Sequence, residues 1–359
     1  MQSKKIIDLF CGCGGFSKGF EDAGFEVALA IDNWNDAIET FNINHNRPVG
    51  VTKNIYDFTN DEIKMFANDN NVVGIIGGPP CQGFSMVGKR EESDERNTLY
   101  LQYVRFVEQI KPEFFILENV KGLLTLKKGY FKKEIIERFS TLGYNVTCKV
   151  LRACDYGVPQ KRERVFFVGL RKDKFKDKVF NYPLPQEHIV STKEALSDLP
   201  SLDNNDNPTE YKTQPQNNFQ KLMRSNSIII KNNEVTNHSE QTKKIISMIP
   251  DGGNIKSLPE EYYKVRNYSS AFKRMNSKEP STTIDCGHRN YFHYKENRIP
   301  TVRESARIQS FSDDFEFLGS KTSQYTQVGN AVPPLLAQAM ANAIKNMYDK
   351  LEKDDDHGN

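Results

Sequence analysis

The chain has 359 residues, of which 37% are hydrophobic and 27% charged, and this length can bury one large core and a smaller second one. No apolar run approaches the roughly 18 residues needed to cross a bilayer, and the first residues lack the apolar stretch of a signal peptide, so we expect a cytoplasmic protein with no membrane partner. The formal net charge of +2 does not by itself indicate a nucleic-acid partner. The 6 cysteines are too scattered for a small disulfide framework and match no usual zinc spacing, so no metal site is predicted.

Strand-like and helix-like runs alternate through the first half of the chain. Strands are predicted at residues 6–10, 27–31, 49–55, 72–76 and 114–117, and helices at 16–23, 37–44 and 99–110. Two further strands are predicted at 144–151 and 164–170. This alternation predicts an α/β fold, in which ligands collect beyond the carboxyl ends of the strands.

A glycine-rich turn follows the first predicted strand. Gly12 and Gly14 let a ligand approach the backbone at the start of a helix, although Ser17 stands where a strict dinucleotide-binding motif has its third glycine. Asp32 comes 20 residues after Gly12, at the end of the second strand, and Trp34 follows it. An acid for a ribose hydroxyl and an indole for a purine face predict a cofactor that contains adenosine.

The stretch GGPPCQGFS at residues 77–85 follows the strand at 72–76. Two prolines stiffen the backbone before Cys81, so a thiol is presented just beyond the end of a strand. Glu118 follows the next strand and is predicted at the same edge of the sheet. The polar segment 86–96 is either a lid over this thiol or an ordinary exposed loop.

Two arginines alternate along the segment at residues 160–164. Because side chains alternate on a strand, Gln160, Arg162 and Arg164 are predicted to face one way, and Lys161 and Glu163 the other. The arginine pair is suited to a carboxylate, a carbonyl oxygen or a phosphate, and equally to a structural ladder of salt bridges.

The composition changes near residue 173, where the chain becomes rich in Asn, Lys, Ser and Gln. We therefore predict a first domain at 1–172, an irregular lobe at 173–298, a segment at 299–351 that returns to the first domain, and an acidic tail at 352–359. The last segment contains a capping box at 301–304 and a helix whose apolar stripe should pack on the first domain, formed by Leu336, Met340, Ile344, Met347 and Leu351.

Six stretches, taken in order, resemble the motifs of bacterial DNA cytosine-5 methyltransferases of the type II restriction-modification kind. They are DLFCGCGG at 8–15, GPPCQ at 78–82, ENV at 118–120, QKRER at 160–164, residues 303–311 and GNAVPP at 329–334. The variable region 173–298 lies where that family carries its target-recognition region. The resemblance implies a Rossmann-like S-adenosylmethionine-dependent sheet with a smaller target-recognition lobe.

The resemblance also implies the chemistry and the partners. The enzyme would transfer a methyl group from S-adenosyl-L-methionine to C5 of a cytosine flipped out of a short double-stranded DNA sequence, and would protect host DNA from a cognate restriction endonuclease. Lysine clusters near 127–133 and 171–178 would contact phosphates, and we expect a monomer.

Specific residues carry over from the family motifs. Cys81 would add to C6, Glu118 would act at N3, Arg164 would orient Glu118 and hold O2, and Arg162 would support the thiolate or the wall of the base pocket. The resemblance places ten residues around the cofactor: Phe10, Gly12, Gly14, Asp32, Trp34, Asn54, Ile55, Pro80, Leu99 and Asn330. Asn54 departs from the family, which usually has an acid there; its carbonyl can accept the same hydrogen bond without charge.

Three other functions are compatible with parts of the pattern. A tRNA cytosine-5 methyltransferase on the same fold is disfavoured by the long recognition-like region. A non-catalytic DNA-binding regulator is disfavoured by the intact set of Cys81, Glu118 and Arg164. A nicotinamide oxidoreductase is suggested by the glycine turn alone.

Overall fold

The computed structural model describes residues 3–80, 97–176, 178–202, 208–263, 272–287 and 291–356. Its main sheet has seven strands in the order β3-β2-β1-β4-β5-β7-β6. The strands are β1 Lys5–Leu9, β2 Glu26–Asp32, β3 Gly50–Thr52, β4 Val72–Gly77, β5 Phe114–Val120, β6 Tyr144–Arg152 and β7 Glu163–Arg171. The first five strands are parallel, and β7 runs antiparallel to both β5 and β6.

Helices connect and cover these strands. The first half of the chain contributes α1 Gly15–Asp22, α2 Asn35–Asn44, α3 Asn60–Asn70, α4 Asn97–Ile110 and α5 Tyr130–Thr141. Later helices are α6 Lys172–Phe175, α7 Thr192–Leu196, α8 Asn218–Met223, α9 Glu240–Met248, α10 Glu260–Tyr263, α11 Val302–Ile308, α12 Lys321–Asn330 and α13 Pro334–Asp356. A short parallel pair, β8 Lys273–Arg274 and β9 Tyr291–Phe292, lies apart from the main sheet.

The apolar pattern explains why these segments fold together. Helix α4 buries Tyr103, Phe106 and Val107 in a core with strand residues such as Ile75 and Phe115. The Tyr103 hydroxyl donates to the main-chain carbonyls of β4 and β5, so its polar group is satisfied inside the core. The predicted α/β fold is confirmed.

Two element predictions need correction. The strand predicted at 49–55 is limited to β3, because Asn54 Oδ1 accepts a hydrogen bond from the main-chain N–H of Tyr56 and starts a 3₁₀ turn at Ile55–Asp57. Glu118 lies within β5 and not after it, since the last residues of β5 pair with β7 through Val120 opposite Arg164.

The chain divides into two compact units. The first contains Met1–Arg152, Glu163–Leu184 and Leu336–Asn359, and the second contains Ala153–Arg162 and Pro185–Leu335. The apolar stripe of α13 is buried in the first unit, as predicted.

The unit boundaries differ from those predicted at 172 and 298. Residues 299–335 belong to the second unit because α11 is bonded there: Arg303 donates to the carbonyl of Lys231, and Arg307 to that of Ala195. Residues 173–184 stay with the first unit, where Asn145 Nδ2 donates to the Lys176 carbonyl.

No helix in the described part of the chain combines the length and the apolar character that a membrane crossing requires.

Candidate active site

The carboxyl ends of the parallel strands bring the predicted site residues of the first unit to one edge. The strand order reverses between β1 and β4, since β2 lies on one side of β1 and β4 on the other. In open α/β sheets, ligands bind in the crevice at such a reversal. The glycine turn after β1 and the segment that leads to Cys81 after β4 both leave the sheet at this point.

The glycine turn has a left-handed backbone at three positions. Phe10 has φ 60°, Gly12 φ 53° and Gly14 φ 91°, and Gly14 forms the cap of α1. A left-handed phenylalanine is uncommon, and such strain is often kept at ligand sites. Among the described residues, nothing lies within 4 Å of a Cβ atom built on Gly12, so this part of the structure leaves open space beside the turn.

Asp32 ties the turn to the end of β2. Its Oδ2 accepts from the N–H of Gly12 at 2.9 Å, and its Oδ1 accepts from the N–H of Trp34 at 3.0 Å. Burial raises the pKa of Asp32, and these main-chain donors oppose the shift. The structure therefore brings Gly12, Asp32 and the half-buried Trp34 together, as the spacing predicts.

Four further residues that were predicted to hold the cofactor also lie in the first unit. Ile55 is buried and Asn54 is exposed just beyond β3, and Pro80 is exposed beyond β4. Leu99, near the start of α4, packs against the apolar core.

Sequence reasoning missed a role for Asp8. Its side chain is 1% exposed, and Oδ2 accepts from the Ser17 hydroxyl at 2.7 Å. Burial raises the pKa of Asp8 to about 7. Ser17, which breaks the strict glycine motif, thus forms a buried contact that holds α1 to β1. The sequence did contain a signal for this contact, namely an acid inside a predicted strand that is followed nine residues later by a serine.

Glu118 and Arg164 form an ion pair in the first unit. Arg164 Nε lies 3.0 Å from Glu118 Oε1, and both side chains are largely buried. The opposite side of this carboxylate borders the β4 exit, since a Cβ atom on Gly78 would lie 2.9 Å from Glu118 Oε2. Adjacent pairing of β4 with β5 therefore brings the GPPCQ and ENV motifs together.

Asn119 connects the same two motifs and was given no role by sequence reasoning. Its Nδ2 donates to the Pro79 carbonyl at 2.9 Å, and its Oδ1 accepts from the N–H of Val120. This bond fixes the chain two residues before Cys81. Cys81 itself and the predicted lid at 86–96 lie outside the described residues.

Arg162 and Asn330 belong to the second unit. Arg162 is 1% exposed and donates to the carbonyls of Ile284 and Gly329 at 3.2 and 3.0 Å. Asn330 Oδ1 lies 2.8 Å from the sulfur of Cys286. Arg162 thus bonds to backbone carbonyls within the second unit, and Arg164 pairs with Glu118 within the first.

Comparison with known proteins identifies the family to which this site belongs. A family model described as C-5 cytosine-specific DNA methylase matches residues 4–346. The chain belongs to this family. It is therefore an S-adenosylmethionine-dependent DNA cytosine-5 methyltransferase.

Curated relatives cover nearly the whole methyltransferase. The type II methyltransferase M.DdeI of Desulfomicrobium norvegicum is 38% identical, over 96% of this chain and 89% of the relative. The type II methyltransferase M1.HphI of Haemophilus parahaemolyticus is 40% identical, over 96% of this chain and 87% of the relative. The sequence-based assignment to the DNA cytosine-5 methyltransferases is confirmed.

Solved structures agree with this assignment. A structure described as a prophage-encoded DNA modification methyltransferase of E. coli has a TM-score of 0.82 and 29% identity, over 97% of this chain and 100% of that chain. The Dnmt2 methyltransferase of S. pombe, at 16% identity and a TM-score of 0.60 over 97% of this chain and 99% of that one, shows the shared fold.

Proposed function

We propose that Cys81 is the nucleophile of this methyltransferase and that Glu118 and Arg164 act on the same cytosine. The observation that carries the proposal is the Glu118–Arg164 ion pair beside Gly78, three residues before Cys81. This arrangement places Glu118, Arg164 and Gly78 at one edge of the sheet, where the chain leaves β4 toward Cys81.

The residues present suit the chemistry of the cytosine ring. C5 is a poor nucleophile until the Cys81 thiolate adds to C6 and moves electron density toward N3 and O2. Glu118 then donates a proton or a hydrogen bond at N3, while Arg164 holds the Glu118 carboxyl and contacts O2. After methylation, water removes the C5 proton, and the Cys81–C6 bond breaks by elimination.

The cytosine must leave the duplex for this chemistry. None of the three side chains can reach C6 or N3 in a stacked base pair, so we propose that the base is flipped out, at a cost of a few kcal/mol.

The observed turn and acid fit S-adenosylmethionine. Gly12 borders open space, and Asp32 is anchored by two main-chain donors and can still accept from ribose hydroxyls. We propose that ten residues hold the cofactor, which supplies the methyl group when bound: Phe10, Gly12, Gly14, Asp32, Trp34, Asn54, Ile55, Pro80, Leu99 and Asn330. Asn54 Oδ1 already accepts from Tyr56, so its contribution to adenine binding is weaker than that of a free carboxylate.

Arg162 has a positioning role in this proposal. Its side chain is buried and donates to the carbonyl of Gly329, next to Asn330. We propose that it fixes the Gly329–Asn330 backbone and supports the thiolate or the wall of the base pocket.

We further propose that the second unit reads the DNA sequence, through the region 185–298. We also propose that the enzyme acts as a monomer in the cytoplasm and protects host DNA from a cognate restriction endonuclease. The description of its relatives as type II methyltransferases supports the protective role.

The function is tested by incubating the purified protein with labelled S-adenosylmethionine and either duplex DNA or tRNA. We expect label in DNA only, and base-resolution sequencing should locate it at C5 of one cytosine in a short repeated sequence. Transfer to tRNA alone would contradict the proposal.

A paired substitution tests the Glu118 role. Glu118→Gln should lower methyl transfer by about 10²- to 10⁴-fold, because an amide cannot donate a carboxyl proton at N3. Glu163→Gln changes an exposed glutamate paired with Lys121 and should leave the rate near that of the wild type.

A further inference from the structure

An apolar cavity of about 260 Å³ lies in the first unit, between strands β1 to β3 and helices α3 and α4. Its wall is formed by three phenylalanine rings and four aliphatic side chains: Phe58, Phe66, Phe106, Ile7, Leu29, Val51 and Ile63. Of the proposed catalytic and cofactor residues that the structure describes, none lines it.

Two of the lining residues are charged and partly exposed to solvent. Lys53 and Glu62 have side chains 31% and 53% exposed, with Lys53 Nζ 4.0 Å from Glu62 Oε1. The Lys53 ammonium also lies 3.9 Å from the centre of the Phe58 ring. A charged ligand would have to lose its hydration against the apolar wall, so the lining favours a neutral occupant.

The cavity is large enough for an aromatic ring. An apolar cavity of about 150 Å³ can stay dry and accept benzene. Aromatic walls add favourable edge-to-face contacts, and the Phe58 and Phe106 rings already make one, with centroids 5.8 Å apart.

One wall of the cavity continues directly into the proposed cofactor segment. Lys53 and Phe58 line the cavity, and Asn54 and Ile55 lie between them in sequence. Arg105 pins this segment by donating to the carbonyls of Ile55 and Phe58 at 2.9 and 2.7 Å. An occupant that packs on Phe58 adds to this restraint before the cofactor binds, which lowers the entropic cost of that binding.

We propose that this cavity binds a small neutral aromatic molecule and that its occupant tightens S-adenosylmethionine binding. The coupling rests on the proposed role of Asn54 and Ile55, whereas binding to the cavity does not.

Fluorobenzene is the probe for the cavity, followed by ¹⁹F NMR on the full-length enzyme without cofactor. We expect a saturable shift with the wild type that is lost in Ile63→Phe, which fills the cavity from α3. Val51→Phe is the second variant, because this lining residue is on the edge strand, 38% exposed, and can be enlarged without disturbing the core. Ile43→Phe makes the same change as Ile63→Phe at an exposed site on α2 and should bind as the wild type does.

No saturable shift with the wild type would overturn the proposal, as would unchanged binding by both filled variants in folded form. For the coupling, calorimetry should show about fivefold tighter S-adenosylmethionine binding with saturating fluorobenzene, and no such change in Ile63→Phe. Equal cofactor affinity with and without the probe would overturn the coupling. A wild type that binds no cofactor would refute the proposed function. In that case the fluorobenzene titration without cofactor would still show whether the cavity binds an aromatic molecule.

Discussion

The Glu118 carboxylate pairs with Arg164 through Oε1, and its Oε2 lies next to the backbone of Gly78. A Cβ atom at residue 78 would lie 2.9 Å from that oxygen, so the end of the Glu118 side chain would have to shift to make room for it. Gly78 stands three residues before Cys81, so this contact joins the acid to the exit of β4 that leads to the proposed nucleophile.

Gly78→Ala tests this packing. The added methyl should push the Glu118 carboxylate away from its position and lower methyl transfer by about tenfold to a hundredfold, since displacements near 1 Å can cost that much. Gly122→Ala is the matched control, because a Cβ atom there meets nothing within 4 Å. Equal activity of Gly78→Ala and the wild type would show that the carboxylate position is not critical.

Asp8 predicts a pH dependence of stability. Burial raises its pKa from an ordinary 3.8 to about 7. Between about pH 4 and pH 7 the unfolded chain releases this proton while the folded chain keeps it, so the free energy of unfolding should fall as the pH rises, by up to about 1.4 kcal/mol per pH unit.

Urea unfolding of Asp8→Asn measures this dependence, because an amide has no proton to lose in this range. Relative to the variant, the wild type should lose stability between pH 4.5 and pH 7. Asp69→Asn, at an exposed position of α3, should follow the wild type. Parallel pH profiles of Asp8→Asn and the wild type would show that Asp8 titrates normally.

At the scale of elements, buried ion pairs hold α11 in place within the second unit. Arg307 is fully buried and contacts Asp198 and Asp313, each with an N–O distance of 2.5 Å. Removing one partner of such a buried pair leaves an uncompensated charge in the interior. The helix is therefore fixed within the second unit by these pairs as well as by its capping box.

Asp313→Asn should lower the free energy of unfolding by about 3–5 kcal/mol. The control is Glu316→Gln, which removes a carboxylate paired with Lys231 at a site where both side chains are more than a third exposed, and should cost at most about 1 kcal/mol. Chemical denaturation of both variants measures their free energies of unfolding. Similar losses in the two variants would mean that burial adds nothing to the Arg307 pair.

At the scale of the whole molecule, local sequence predicted most of the sheet and its ligand edge. Apolar runs located β1, β2, β4, β5, β6 and β7, and the spacing from Gly12 to Asp32 predicted an acid at the end of β2, where the structure has Asp32. These features depend on neighbours in sequence or on the regular geometry of parallel strands, so pattern and spacing were sufficient.

Features set by tertiary contacts were missed. The carbonyl partners of Arg162 lie more than 120 residues away in sequence, so alternation along a strand could not show that it and Arg164 have different partners. The extension of β5 through Glu118 depends on pairing with β7, and the boundary of the second unit depends on Arg303 and Arg307. None of these partners is encoded within a short window of sequence.

The central claim is that the Cys81 sulfur bonds to C6 of a flipped cytosine, and a trapped adduct tests it most directly. Duplex DNA with 5-fluorocytosine at the methylated position has fluorine in place of the C5 proton, so elimination cannot release the thiol. With S-adenosylmethionine present, mass spectrometry should find the DNA attached to Cys81 in the wild type and in Cys286→Ser, which removes an exposed thiol, but not in Cys81→Ser. No adduct, or an adduct at a residue other than 81, would contradict the account.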